Sequence, residues 1–332
     1  MHPASPRALL RHASAPAFLV TDLTNIRYLT GVELSSGALL VTPSALTLFV
    51  DGRYREAAEQ HRRRGVVVRS IDRFPVALAR AHLCAFEAEG VSVARLKMWK
   101  RKYKNTKFVH SQGVVQEFRR AKDPGEVRAF QEAQRITSQL LKRIPSILRP
   151  GLTERELAWK LQTWAHALAA DHLAFDPIVA FGAHASHPHH HPTPRSLRKG
   201  DLVQIDVGAR FSGYCADQSA VFFTAEPTEL QARVLAAVRE AKEAAERAVC
   251  VGASTHELDR IARSVLKRHG WEKYFPHSLG HGVGLEIHEG VTLSTKRPEE
   301  KLLRNEIITI EPGVYLPGKF GIRLEEEIVV GE

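Results

Sequence analysis

Four carboxylates stand within apolar segments of this chain, where an isolated charge is costly to bury. Asp206 occurs in QIDVG and Asp217 in CADQSAVFF; later, Glu311 occurs in ITIEPGVY and Glu325 in GIRLEEE. A turn at Gly213 would bring the two aspartates together, and glycine-containing turns would do the same for the two glutamates. By themselves, two aspartates flanking a hairpin are also typical of a structural or solvent-facing pair.

Neighbouring glutamates complicate the choice on the second returning strand. Residues alternate between the two faces of a β-strand, which places Glu325 and Glu327 on one face and Glu326 on the other. Pro312 and Gly313 restrict the backbone directly after Glu311.

His281, in HSLGHGVGLEIHE, adds an imidazole to the four carboxylates. Four oxygen donors and one imidazole suit one or two divalent ions, and favour manganese, cobalt or zinc over metals that prefer thiolates. Two such ions would hold and activate a bridging water and polarise a carbonyl. The order Asp, Asp, His, Glu, Glu is more specific than any single pair.

The segment up to about residue 115 is predicted to alternate strands with helices. The strands are expected in FLVTD, GALLVT, LTLFVD, GVVVRSI and VSVARL, and the helices in DGRYREAAEQHRRR and FPVALARAHLCAFEAEG, the latter ending at Gly90. This pattern predicts an α/β unit with a parallel or mixed sheet.

The remaining chain is predicted to combine helices with antiparallel strands. Capping boxes at Asp123 with Glu126 and at Thr153 with Glu156 mark two helix starts. Two more helices are expected near residues 228–249 and 254–270. The last stretch, EIITIEPGVYLPGKFGIRLEEEIVV, is predicted to form strand, turn and strand.

With these residues in view, the chain resembles the pita-bread-fold metallopeptidases, in particular the Xaa-Pro aminopeptidase and prolidase branch. The resemblance rests on IDVG, GYCAD, GHGVGLEIHE, IEPGVY and GIRLE, and on TDLTNIRYLTGVELSSGALLVT and LFVDGRYREAA in the amino-terminal half. It implies an α+β fold, with a creatinase/prolidase-like α/β domain at residues 1–121 followed by a pita-bread catalytic domain at 122–332.

The resemblance also implies a dinuclear site held by Asp206, Asp217, His281, Glu311 and Glu325. Asp217 and Glu325 would bridge two divalent ions, for which manganese is expected and cobalt or zinc are alternatives. Glu311 would also act as the general base. The implied reaction is hydrolysis of the peptide bond preceding proline, with a metal-activated bridging water attacking the scissile carbonyl.

Five further residues match positions of these peptidases, and three of them, His277, Arg323 and Tyr315, match the proline-specific branch. His189, in DPIVAFGAHASHPHHHPT, and His288 are implied to be catalytic, whereas His277, Arg323 and Tyr315 are implied to bind the proline side of the substrate. Without the resemblance, a histidine-rich loop is also typical of an exposed loop or an adventitious metal binder.

Some positions depart from the pattern of these peptidases. Asp217 is followed by QSAV, where the related chains usually have x-Thr-Arg-Thr, so an arginine is missing and Ser219 supplies the only hydroxyl. Val291 stands in place of a proline, and Glu326 in place of an aspartate. None of these changes removes a predicted metal ligand.

Composition sets the remaining expectations. The chain has 332 residues and a net charge of +10, and its three cysteines are widely spaced. No apolar run of about 18 residues is present, so no membrane span is predicted. Because the cysteines are widely spaced, no disulfide framework is predicted and a cytoplasmic location is expected. The basic cluster between Lys97 and Lys107 is interpreted as a solvated face.

The expected partners are a proline-containing peptide and a second copy of the chain, since the amino-terminal domain of these peptidases packs against a partner's active site. Aminopeptidase and dipeptidase activity both stay open. The alternatives are a non-catalytic peptide- or nucleic-acid-binding protein on the same fold, and another hydrolase of the fold, such as a methionine aminopeptidase.

Overall fold

The computed structural model describes residues 4–331; residues 1–3 and 332, the outer ends of the two predicted domains, lie outside this range. The chain divides into two compact units, the first ending at Arg119 and the second beginning at Arg120. The predicted boundary between residues 121 and 122 stays a prediction.

The amino-terminal unit is a mixed sheet with helices. Its strands, β1 to β6, are Phe18–Val20, Ala38–Thr42, Ala45–Val50, Val66–Ser70, Leu83–Glu87 and Lys107–Ser111. Its helices, α1 to α6, are Pro6–Ala13, Leu23–Thr30, Arg55–His61, Phe74–Ala79, Val93–Lys102 and Val114–Arg120. The strand order is β4-β3-β2-β1-β5-β6, with both parallel and antiparallel pairs, as predicted.

Two predicted elements of this unit are wrong. The segment predicted as one helix up to Gly90 forms the short α4 and then strand β5, which pairs with both β1 and β6. A buried apolar run as short as LCAF has no periodicity that separates strand from helix. VSVARL, predicted as a strand, opens α5, because the Ser92 side chain accepts a hydrogen bond from the backbone N–H of Arg95 and caps the helix.

The carboxyl-terminal unit contains helices and antiparallel strands, as predicted. Its helices, α7 to α10, are Pro124–Arg143, Glu154–Ala167, Glu229–Arg247 and Thr255–Arg268. Its strands, β7 to β18, are His172–Leu173, Ile178–Phe181, Leu202–Val207, Ala209–Phe211, Tyr214–Cys215, Gln218–Phe223, Gly280–His281, Thr292–Leu293, Ile307–Ile310, Gly313–Leu316, Phe320–Arg323 and Glu326–Val329. Both predicted capping boxes are present, at Asp123 and at Thr153.

Two apolar clusters position the strands of this unit. Helices α7 and α8 pack on β8 and β9, whereas α9 and α10 pack on the strands between Ile308 and Ile322. The bend after β9 requires glycine, because a Cβ atom on Gly208 would lie 1.8 Å from the carbonyl oxygen of Ala216. This close approach lets the chain turn back so that β12 pairs with β9.

Among the described residues, no helix is both long and apolar enough to cross a lipid bilayer.

Candidate metal centre

The antiparallel pairs bring the four predicted carboxylates to neighbouring strand ends. Asp206 lies in β9, opposite Ser219 of β12, and Asp217 directly precedes β12. Glu311 directly follows β15 and Glu325 directly precedes β18; the last ladder pair of these strands joins Ile310 and Glu326. The alternation predicted for the last strand is observed, because Glu325 and Glu327 are buried and Glu326 is exposed.

His281, in β13, closes the cluster. Its Nε2 atom lies 3.6 Å from both Asp217 Oδ2 and Glu311 Oε1. One ligand atom each from Asp217, His281 and Glu325 fall within 4.8 Å of one another. The structure thus brings together the side chains that were predicted from five separate sequence segments.

Three oxygens of this cluster lack a hydrogen-bond partner within the described part of the chain. They are Asp206 Oδ1, Asp217 Oδ1 and Glu325 Oε1, and all three are buried. A buried acceptor left without a partner costs about 1–3 kcal/mol, and more when the group is charged. Carboxylate oxygens and an imidazole are suitable ligands for a divalent cation, so these residues fit a metal ion chemically.

Burial and mutual repulsion make the carboxylates hard to ionise. Burial, followed by the charge of Glu325, raises the pKa of Asp217 and that of Glu311 well above their ordinary values. Burial, followed by the charge of Asp206, raises the pKa of Glu325 to about 8. A bound cation would relieve this repulsion because it supplies the missing positive charge.

Burial, with a smaller effect from His288, lowers the pKa of His281 to about 3. Its imidazole is therefore neutral at pH 7, the form in which histidine binds metals. The Nδ1 atom of the ring lies 3.1 Å from the backbone carbonyl of Gly282, which leaves Nε2 facing the carboxylates.

Arg323 links the carboxylate cluster to the predicted substrate-binding side. Its buried guanidinium donates to Asp206 Oδ2 at 2.5 Å, to Ser219 Oγ at 2.9 Å and to the Tyr315 hydroxyl at 2.6 Å. A longer bond of 3.3 Å reaches the backbone carbonyl of Pro188. A guanidinium holds these four acceptors with five donors in a fixed planar fork, whereas a lysine has only three donors on a single nitrogen.

Tyr315 passes this chain of hydrogen bonds on to His277. The Nε2 atom of His277 lies 3.0 Å from the Tyr315 hydroxyl, and its Nδ1 atom lies 2.8 Å from the carbonyl oxygen of Ser278. Burial, followed by the charge of Arg323, lowers the pKa of His277 to about 3, so the ring is neutral. Nδ1 must then donate to the carbonyl, and Nε2 accepts from Tyr315.

The two predicted catalytic histidines border the same site. The rings of His288 and His281 have centroids 4.2 Å apart and are nearly perpendicular. Burial, followed by the charge of His189, lowers the pKa of His288, and the charge of His189 also contributes to the lowered pKa of His277. His189 lies on the loop after β8, directly after Pro188, whose carbonyl oxygen accepts from Arg323.

Several supporting residues could be found only in part from the sequence. Ser219 Oγ donates to Glu325 Oε2 at 2.8 Å, which retains one hydroxyl contact despite the missing arginine. Glu327 is buried and accepts from the backbone N–H of Asp217; strand alternation had placed it on this face. Thr309 Oγ1 accepts from the backbone N–H of His281 at 3.1 Å, and no sequence signal pointed to it.

Comparison with known proteins adds an independent line of evidence. The model of metallopeptidase family M24 matches residues 128–332, and that of the Creatinase/Prolidase N-terminal domain matches residues 5–121. The Xaa-Pro dipeptidase of Pyrococcus horikoshii is 31% identical over 96% of this chain and 90% of its own length.

Solved structures agree over similar lengths. The prolidase from Pyrococcus horikoshii superposes with a TM-score of 0.92 at 30% identity, covering 98% of this chain and 94% of that one. The X-Pro aminopeptidase from Thermotoga maritima gives a TM-score of 0.89 at 32% identity, covering 97% and 94%. These matches confirm the predicted fold class, an α/β creatinase/prolidase-like domain followed by a pita-bread domain.

Proposed function

The chain belongs to metallopeptidase family M24, and from this premise we propose that it hydrolyses the peptide bond preceding proline, as an Xaa-Pro aminopeptidase or dipeptidase. The observation that carries the proposal is the convergence of three unpartnered carboxylate oxygens, from Asp206, Asp217 and Glu325, beside His281 and Glu311. The names of its relatives, Xaa-Pro dipeptidase, prolidase and X-Pro aminopeptidase, support the specificity for proline.

Asp206, Asp217, His281, Glu311 and Glu325 would hold two divalent ions. Manganese is the expected metal, and cobalt and zinc are the alternatives. When bound, the ions supply an activated water and a Lewis acid for the scissile carbonyl.

Glu311 is the general base in this proposal. It accepts a proton from the attacking water and relays it to the leaving proline nitrogen. His288 and His189 donate hydrogen bonds to the oxygen that becomes negative during attack and to the leaving group. Donors fixed in place before the reaction are effective because they need no reorganisation in the transition state.

The three remaining predicted residues form the proline side of the pocket. Tyr315 and His277 are held by the hydrogen-bond chain that starts at Arg323. We propose that Arg323 also supplies the positive charge that attracts the free carboxylate of a dipeptide substrate.

The decisive experiment uses metal-stripped protein with manganese, cobalt or zinc added back, assayed on Xaa-Pro dipeptides and Xaa-Pro-Xaa tripeptides. Metal-restored cleavage of both identifies an aminopeptidase, and cleavage of the dipeptide alone identifies a prolidase. Full binding of metal without cleavage of either substrate would contradict the proposed reaction.

A second experiment tests Arg323 with Xaa-Pro and its amide, Xaa-Pro-NH2, which lacks the carboxylate. Arg323→Lys should lower kcat/KM for both substrates, because the bonds to Asp206 and Tyr315 are lost, and should lower it by a further ~10-fold for the dipeptide alone, the effect of losing a charge-assisted hydrogen bond to its carboxylate. An equal loss on both substrates would show that Arg323 acts only through Asp206 and Tyr315.

The homodimer implied by the resemblance is also a proposal. Light scattering coupled to gel filtration should give twice the mass of one chain, and a monomer mass at working concentrations would contradict it.

A further inference from the structure

A second group of potential metal ligands lies outside the centre described above. Glu154, the first residue of α8, is fully buried. Its Oε1 atom lies 2.9 Å from His184 Nδ1, and its Oε2 atom lies 3.0 Å from His190 Nε2. The two imidazole rings have centroids 4.6 Å apart, and one ligand atom from each of the three residues falls within 4.8 Å of the others.

Neutral donors hold the carboxylate of Glu154 in place. The backbone N–H of Phe181 reaches Oε1 at 2.9 Å, while the backbone N–H and the hydroxyl of Thr193 reach Oε2 at 3.0 and 2.6 Å. Burial raises the pKa of Glu154, but the hydrogen bonds from Thr193, His190 and Phe181 outweigh burial and hold the pKa below its ordinary value. The group therefore carries a negative charge at neutral pH.

This buried charge has no permanent counterion in the described part of the chain. The ionisable partners of Glu154 are His184 and His190, and no lysine or arginine pairs with it. The first turn of α8 contributes only a partial positive charge. A protonated histidine or a metal ion is needed to balance the carboxylate in full.

We propose that Glu154, His184 and His190 form a second divalent-cation site, suited to Zn²⁺. One carboxylate and two imidazoles are a zinc donor set that leaves a position open for water. The separations of 2.9 and 3.0 Å are short enough for both members of each pair to contact one ion at about 2.0–2.1 Å. The ion takes the place of the imidazole protons that face Glu154, and the bonds from Phe181 and Thr193 orient the carboxylate.

The site would restrain the loop that carries a proposed catalytic residue. Glu154 contacts the loop near its start, at Phe181 and His184, and near its end, at His190 and Thr193. His189 directly precedes His190, so a cation bound to His190 limits the movement of His189.

The loop offers a matched control. His187 and His191 are exposed members of the same histidine-rich segment and are not hydrogen-bonded to Glu154; the ring of His187 contacts that of His190 only by stacking, with centroids 6.3 Å apart. Three full-length proteins, wild type, His184→Asn/His190→Asn and His187→Asn/His191→Asn, are dialysed against Zn²⁺, and the zinc per chain is measured by mass spectrometry. We expect the wild type and the exposed-histidine variant to hold one zinc more per chain than the first variant.

Equal zinc in all three proteins would overturn the proposal and leave Glu154 with a purely hydrogen-bonding role. An equal loss in both variants would also overturn it, because the loop would then bind zinc diffusely through any of its histidines.

A second measurement separates this site from the main metal centre. In an Asp217→Asn/Glu325→Gln background the main centre is disabled, so a rise in melting temperature on adding Zn²⁺ reports the second site. We expect a rise of a few degrees, lost when His184→Asn/His190→Asn is added and kept with His187→Asn/His191→Asn. Absence of any rise in the disabled background would contradict the second site.

Discussion

Two groups of carboxylates and histidines in the carboxyl-terminal unit contain the same residue types. They differ in how many hydrogen-bond donors the protein supplies to the carboxylate oxygens. In the main centre, Asp206, Asp217 and Glu325 each leave one buried oxygen without a partner. In the second group, both oxygens of Glu154 accept hydrogen bonds, from two backbone N–H groups, a hydroxyl and two imidazoles. The main centre therefore needs a cation to satisfy its free oxygens, whereas in the second group the chain supplies every hydrogen bond and a cation would balance only the charge.

The cause of this difference is the type of element that carries each carboxylate. The main centre takes its acids from strand ends, where neighbouring backbone N–H groups are used in antiparallel ladders. Glu154 instead begins a helix and faces the end of the edge strand β8 and the loop after it, where the N–H groups of Phe181 and Thr193 donate to its side chain. Local backbone pairing thus decides how many donors a buried acid finds.

The largest effect is expected from Asp217→Asn in the metal-loaded protein. Loss of this proposed metal ligand should remove bound metal and lower kcat/KM by about 10³-fold or more, because Lewis-acid stabilisation is worth several kcal/mol. Metal content and Xaa-Pro hydrolysis are measured together, with the exposed Asp72→Asn as control. Full activity in Asp217→Asn would remove this residue from the metal site.

Glu154→Gln should give the next largest effect. This effect is a loss of stability in the metal-free protein. Glutamine retains one acceptor oxygen for the five donors, so the free energy of unfolding should fall by about 3 kcal/mol. Urea denaturation of the metal-stripped protein measures this change, with the exposed Glu243→Gln as control. An unchanged midpoint would mean that the hydrogen bonds to Glu154 contribute little, and the contrast between the two groups would fail.

Ser219 tests whether one hydroxyl compensates for the missing arginine. Ser219→Ala removes the donor to Glu325 and the acceptor for Arg323, and should weaken metal binding about 10-fold. Ser219→Thr keeps the hydroxyl and should behave like the wild type in a metal titration. If both variants bind metal equally well, the contact to Glu325 has no role in binding.

The smallest predicted effect is opposite in sign to that of Glu154→Gln. In the metal-stripped protein, Asp217→Asn should raise the free energy of unfolding by about 1 kcal/mol, because an amide relieves repulsion and can donate to a neighbouring carboxylate. Urea midpoints of the stripped wild type and variant provide the measurement. A fall in stability would show that the main centre is satisfied without a cation.

Prediction from the sequence succeeded where the signal was local. The capping boxes at Asp123 and Thr153 were found because their hydrogen bonds join residues three apart. It failed at β5 and α5, where LCAF is too short to show a period and Ser92 was not recognised as a helix cap.

The sequence by itself determined which residues are candidates and which face of a strand each occupies, because alternation is a property of the backbone within one segment. Only the tertiary structure decided which atoms meet. The bonds of Arg323 to Asp206 and Tyr315, and of Glu154 to His184 and His190, follow from the packing of separate elements. Whether a buried carboxylate keeps an oxygen without a hydrogen bond depends on donors from segments that are distant in the sequence. A local sequence pattern does not show which distant segments come close.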